Sequence, residues 1–256
     1  MATMDIGLVA TLALCAAALV AGFVDAIAGG GGLVTVPALL VAGLPPHLAL
    51  GTNKGGSVFG SFAAMVRYGR GGLLDRRRAA AGFLAGLAGA FAGARLVLLV
   101  SPEVLRPVVL VLLPAAAAFV LLRPRPEGGR APGAGERVPA VAGIALGVGA
   151  YDGFFGPGTG TFLILAFAGI LGMTATRASA EAKVVNFASN LASVAVFAVR
   201  GTVVWEIALP MAACQFAGGL LGAHLALRVG DRIVRAFVAV VVLALVAALL
   251  RALLAA

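Results

Sequence analysis

The chain has 256 residues, of which 62% are hydrophobic and 11% charged, and its mean hydropathy is +1.10. Soluble domains carry about 25% charged residues, so the composition excludes a soluble globular protein. The net charge of +9 does not indicate nucleic acid. The arginines cluster in short stretches between apolar runs, with Arg67, Arg70, Arg76, Arg77 and Arg78 in one and Arg123, Arg125, Arg130 and Arg137 in another. That is the pattern of loops facing the cytoplasm.

Long Ala/Leu/Val/Gly runs without strand-like alternation predict a helical bundle rather than a barrel. At about 20 residues per crossing, the chain has room for eight to ten spans. The first is expected from Asp5 to Ala28. It lacks the basic region of a signal peptide and is too long for its apolar core, so it reads as a retained span. Cys15 within it and Cys214 further on read as isolated small core residues. Four glycines, Gly29 to Gly32, interrupt the apolar run, and Leu33 to Ala42 is too short to cross. His47 to Val66 follows a Pro45-Pro46 turn and carries Asn53, Lys54 and Ser57 at lipid depth. Ala79 to Val100 has a glycine stripe suited to close helix packing, within the chain or in a homodimer. Val104 to Leu122 spans again, with Pro114 as a kink.

Residues 123–137 are rich in Pro, Gly and charge and form the linker, which prompts a search for a repeat. Asp25 aligns with Asp152, the first glycine break with Gly156-Pro157-Gly158-Thr159, Lys54 with Lys183 and Ser57 with Asn186. Gly89 and Gly93 align with Gly218 and Gly222. The expected class is therefore an all-α polytopic membrane protein of two homologous repeats, 1–122 and 138–256, joined by a cytoplasmic linker. It would have eight full segments and two short re-entrant ones. The second half supplies spans at Val138 to Phe155, Thr174 to Val199, Ile207 to Leu227 and Ile233 to Leu254, and a short piece at Thr161 to Leu171. Placing the third basic cluster, Arg228, Arg232 and Arg235, inside favours inverted over parallel repeats.

Ionisable groups at membrane depth mark substrate or ion paths by default. Helix breaks expose N–H groups that bind anions. The candidate substrate-binding residues are Gly29, Gly30, Gly31, Gly32, Asn53, Lys54, Ser57, Gly156, Gly158, Thr159, Lys183, Asn186 and Asn190. Together they suit a small, strongly acidic oxyanion. The alternative is structural, with Lys54 neutralising Asp25 and Lys183 neutralising Asp152 or Glu181. Asp25, Asp152 and His224 are candidates for proton coupling. The two acids equally suit caps on the broken helices, and His224 an interhelical hydrogen bond. No GxxxxGK[ST], HExxH, catalytic triad or Cys/His metal spacing is present, so no cofactor, metal or enzymatic role is expected.

Asp25-x3-Gly29-Gly-Gly-Gly, then Leu44-Pro45-Pro46, then Gly51-Thr52-Asn53-Lys54 resembles the TauE/SafE family of sulfite and organosulfonate exporters. The resemblance covers nearly the whole chain, although Pro157 and Thr159 replace two glycines in the second half. It implies a bacterial inner-membrane secondary transporter for sulfite, a sulfonate such as sulfoacetate, or another small organic anion. A passive anion pore is the rival expectation.

Overall fold

The computed structural model describes residues 7–122 and 137–254, with side chains described up to Val229 except at 117 and 119–122. Among the described residues lie nine helices and no strand, as the composition predicts. They are α1 (Gly7–Ala28), α2 (Gly32–Val41), α3 (Pro46–Arg70), α4 (Arg76–Val97), α5 (Pro102–Leu122), α6 (Val138–Phe154), α7 (Thr159–Gly169), α8 (Ala175–Val199) and α9 (Trp205–Leu254). Apart from Arg137, the linker lies outside the described residues.

Among the described residues, four helical stretches are long and apolar enough to cross a membrane: Gly7–Ala28, Arg76–Val97, Ala175–Val199 and Trp205–Val229. The fold is thus that of a polytopic α-helical membrane protein. With 10 and 11 residues, α2 and α7 are each about 15 Å long at 1.5 Å per residue, half of the roughly 30 Å of hydrocarbon. Two spans were expected at Ile207 to Leu227 and Ile233 to Leu254, but one helix runs unbroken from Trp205 to Leu254. The sequence between them offers Gly230 but no proline, and a lone glycine costs a helix only about 1 kcal/mol.

The helix ends sort into two groups. At one end of the bundle, His47 Nε2 lies 3.2 Å from the Val97 carbonyl, and the Val204 N–H donates to Thr52 Oγ1 at 3.0 Å. The first part of α1 packs here, where Leu14 and Ala18 meet Leu39, Leu44 and Val204. At the other end the Asp75 N–H donates to Glu181 Oε1 at 3.2 Å, and Arg137 donates to the Ile170 carbonyl at 3.1 Å. The first part of α6 packs here, with Val141 and Ala145 against Leu171 and Met173. So α1 and α6 enter from opposite ends, and each stops at its glycine break.

Small residues set the helix spacing. A Cβ on Gly89 or Gly93 of α4 would fall 2.1 or 2.0 Å from a carbonyl oxygen of α6. A Cβ on Gly218 or Gly222 of α9 would fall 2.2 or 2.3 Å from one of α1. These stripes bring backbones into contact, so the α4 glycines serve packing inside the chain. Cys15 and Cys214, expected to be isolated, are free thiols that interact across the α1–α9 contact.

Candidate functional site

The site forms where the two helix breaks touch. Gly29 has φ +73°, and a Cβ there would lie 2.1 Å from the Thr161 nitrogen at the start of α7. Only glycine offers both the left-handed backbone and the clearance. Three hydroxyls satisfy the last carbonyls of α1, groups that a helix end leaves without partners. Tyr68 donates to Ala26 at 2.9 Å, Ser179 to Ile27 at 3.0 Å and Thr161 to Ala28 at 3.0 Å. The second break turns at Gly156 and Gly158, which have φ +96° and +88°.

The helices α3 and α8 pass these breaks and deliver the lysines. Lys54 Nζ sits 2.8 Å from Asp152 Oδ1 and 3.1 Å from Asn190 Oδ1. Lys183 Nζ sits 2.7 Å from Asp25 Oδ2. Ser189 donates to the other oxygen of Asp152, and the Gly31 N–H donates to Asp25 Oδ1 at 3.2 Å. The pairing is crossed. Each lysine meets the acid of the other half, not the acid of its own half as the structural alternative supposed. The interlocked breaks are the reason, because each break is pushed against the opposite half's lysine helix. Glu181 pairs with neither lysine; it binds Arg78 Nε at 3.3 Å. As a helix cap, Asp25 does receive a backbone N–H, while the partners of Asp152 are side chains.

Burial differs between the pairs. The Lys54, Lys183 and Asp152 side chains are at most 4% exposed, whereas that of Asp25 is 21% exposed. Asp25 is therefore the acid that water reaches. Two ammonium groups and two carboxylates balance, so the centre is compensated as it stands.

The cavity measures about 20 Å³, on a scale where one water needs roughly 10–15 Å³. Of the residues singled out by sequence, Asp25, Gly30, Gly31, Gly32, Asn53, Lys54, Ser57, Asp152, Gly156, Gly158, Thr159, Asn186 and Asn190 line it. Gly29 lies behind it at the contact of the breaks, and Lys183 reaches it through Asp25. His224 stands apart, its Nδ1 within 3.0–3.3 Å of the Arg67 guanidinium. Gly160 and Gln215 also line the cavity and had not been singled out. A signal for Gln215 was available, since it is a lone amide within the apolar first part of α9.

Broken half-helices and buried charges inside a bundle of apolar helices are features of membrane transport proteins. Its relatives carry that description. A "Probable membrane transporter protein ORF9" of Sinorhizobium sp is 39% identical over 233 residues, covering 90% of this chain and 88% of the relative. A "Probable membrane transporter protein" of Haemophilus influenzae is 35% identical, covering 93% of each chain. The "Probable membrane transporter protein YfcA" of Escherichia coli K12 is 36% identical, covering 88% of this chain and 83% of the relative. The family described as "Sulfite exporter TauE/SafE" matches residues 14–249, and the chain belongs to it. No solved structure matches the chain.

Proposed function

We propose that this protein is a secondary transporter for a small anion, a sulfur oxyanion or sulfonate, with no enzymatic activity of its own. The observation that carries the reading is the pair of crossed lysine–carboxylate contacts where the two helix breaks meet. Lysines, break N–H groups and amides supply donors for an oxyanion. The two carboxylates hold the lysines when no anion is present.

An anion can take a lysine only if the carboxylate leaves it or becomes protonated. Protonation removes the competing charge without leaving a buried lysine unpaired. Proton coupling thus falls to Asp25 and Asp152, with Asp25 first because it is the more exposed. His224 is set against Arg67 and serves helix packing.

The cavity accommodates a water and not an oxyanion, so the site must widen for transport. Opposite entry of α1 and α6 suits two inverted repeats, 1–122 and 138–256, rocking about this junction. The arginine-rich end, with Arg67, Arg70, Arg76, Arg77, Arg78, Arg137 and Arg177, then faces the cytoplasm of a bacterial inner membrane.

Uptake of labelled sulfite into proteoliposomes, with and without a pH gradient and with sulfoacetate and taurine as competitors, tests the reading. We expect saturable uptake that the pH gradient stimulates. Linear, unsaturated flux would favour a pore, and no flux of any of these anions would remove the substrate class.

A further inference from the structure

Gln215 has what a ligand-binding group needs and lacks what a structural group needs. It is 97% buried, given its exposure of 3%, and it lines the central cavity. Among the described residues, its Nε2 is the one buried side-chain nitrogen or oxygen without a hydrogen-bond partner. Buried polar groups in native proteins are nearly always satisfied, and an exception calls for an explanation.

Two glycines make room for this amide, and a third for the main chain that carries it. A Cβ on Gly56 would lie 2.9 Å from Nε2, and one on Gly60 would lie 3.2 Å from Oε1. A Cβ on Gly22 would lie 2.5 Å from the Gln215 carbonyl oxygen. The contact that aligns with it, between α4 and α8, solves the same packing problem without polarity. There Gly86 corresponds to Gln215 and Val185 to Gly56, and a Cβ on Gly86 would lie 2.9 Å from a Val185 methyl. The bulk sits on α8 in one contact and on α9 in the other, where it is an amide. Packing alone is served by Gly and Val, as the α4–α8 contact demonstrates.

We propose that Gln215 is a specificity-determining residue that donates from Nε2 to one oxygen of the bound anion. This rests on the anion-transport reading of the cavity. The two lysines are related by the repeat and bind charge from both sides. Gln215 has no such counterpart, so it distinguishes one side of the ligand from the other. An anion with three sulfur-bound oxygens can serve two lysines and the amide together. A sulfinate with two oxygens leaves one of the three donors unserved.

The test measures binding of taurine, a sulfonate, against hypotaurine, its sulfinate, by competition with labelled sulfite on the full-length protein. We expect wild type to favour the sulfonate by roughly tenfold, the effect of one hydrogen bond to a charged acceptor. Gln215→Met keeps the length and removes the donor, and should bring the two within about twofold by weakening the sulfonate alone. Gln215→Glu places a carboxylate there and should abolish binding of both at neutral pH. Equal affinities in wild type would overturn the proposal without any variant, which covers the case of a variant that does not fold. So would a Gln215→Met protein that keeps the preference. If wild type binds none of these anions, the transport reading itself fails, an outcome separate from the other two.

Discussion

The two helix breaks occupy matching places and are held differently. The first is tied to other elements, because the carbonyls of Ala26, Ile27 and Ala28 take hydroxyls from α3, α8 and α7. The second is tied mainly to itself. Tyr151 donates to Pro157 at 2.6 Å, and Thr159 donates to Gly156 at 2.6 Å. The Tyr151 ring also packs against Phe155 and Phe162, at centroid distances of 6.0 and 5.2 Å. Moving the first break costs hydrogen bonds between helices. Moving the second as a unit keeps its internal bonds, at the cost of the Thr161–Ala28 hydrogen bond and the Lys54–Asp152 pair. On that difference we expect the first half to be the anchor and the second the moving part.

The charge pairs give the largest test of that asymmetry. Lys54→Ala strands Asp152, which is only 4% exposed, whereas Lys183→Ala strands Asp25, which water reaches. Removing one partner of a buried pair costs about 3–5 kcal/mol. We expect that full loss for Lys54→Ala and a smaller one for Lys183→Ala, read as midpoint shifts in detergent melts. Equal shifts would mean that the two halves are equivalent after all.

The hydroxyls come next. Tyr68→Phe leaves the Ala26 carbonyl without its partner in the interior, a loss of about 1–3 kcal/mol. Tyr151→Phe removes a contact that is only partly buried and local to the loop. It should cost less stability and should raise the rate at which the second break opens. Hydrogen exchange of the amides at 156–160 against those at 29–33 would report this. Faster exchange at the first break in Tyr151→Phe would reverse the assignment of anchor and moving part.

The smallest effect concerns how α4 and α9 start. The Asp75 N–H is received by Glu181 and the Val204 N–H by Thr52, two residues that match between the halves. Asp75 also caps α4 by accepting from the backbone of Arg78 and Arg77 at 3.0 and 3.1 Å. The Arg78 N–H, helped by the Arg78 and Arg177 charges, holds its carboxyl below the usual range. Asp75→Ala should cost about 1 kcal/mol, as for other N-caps. Because the folded value is the lower one, this contribution is present above the ordinary carboxylate range near pH 4 and fades as the pH falls through the folded value. Melts of both proteins from neutral to acid pH should therefore converge at the acid end. A gap that persists there would assign the effect to something other than the carboxylate.

Much of the site was legible because charge and glycine stand out against an apolar background. Lys54, Lys183, Asp25, Asp152 and both breaks were identified by position alone, and nearly all of them meet at one cavity. The partners were not legible. A repeat offset says which residues correspond, but not which half faces which, so Lys54 was matched with Asp25 instead of Asp152. Gln215 escaped for a related reason. Its counterpart is Gly86, so a search for repeated polar positions passes over it. The single course of α9 was hidden because composition marks where a span can end and not whether the helix stops there.

The crossed pairing also bears on how the protein is made. Asp25 and Lys54 leave the ribosome 158 and 98 residues before Lys183 and Asp152, the residues they finally meet. At about 5–20 residues per second, the first half waits roughly 5–30 s with its acid and its base lacking their final partners. Insertion of the second half then supplies both partners, Lys183 for Asp25 and Asp152 for Lys54.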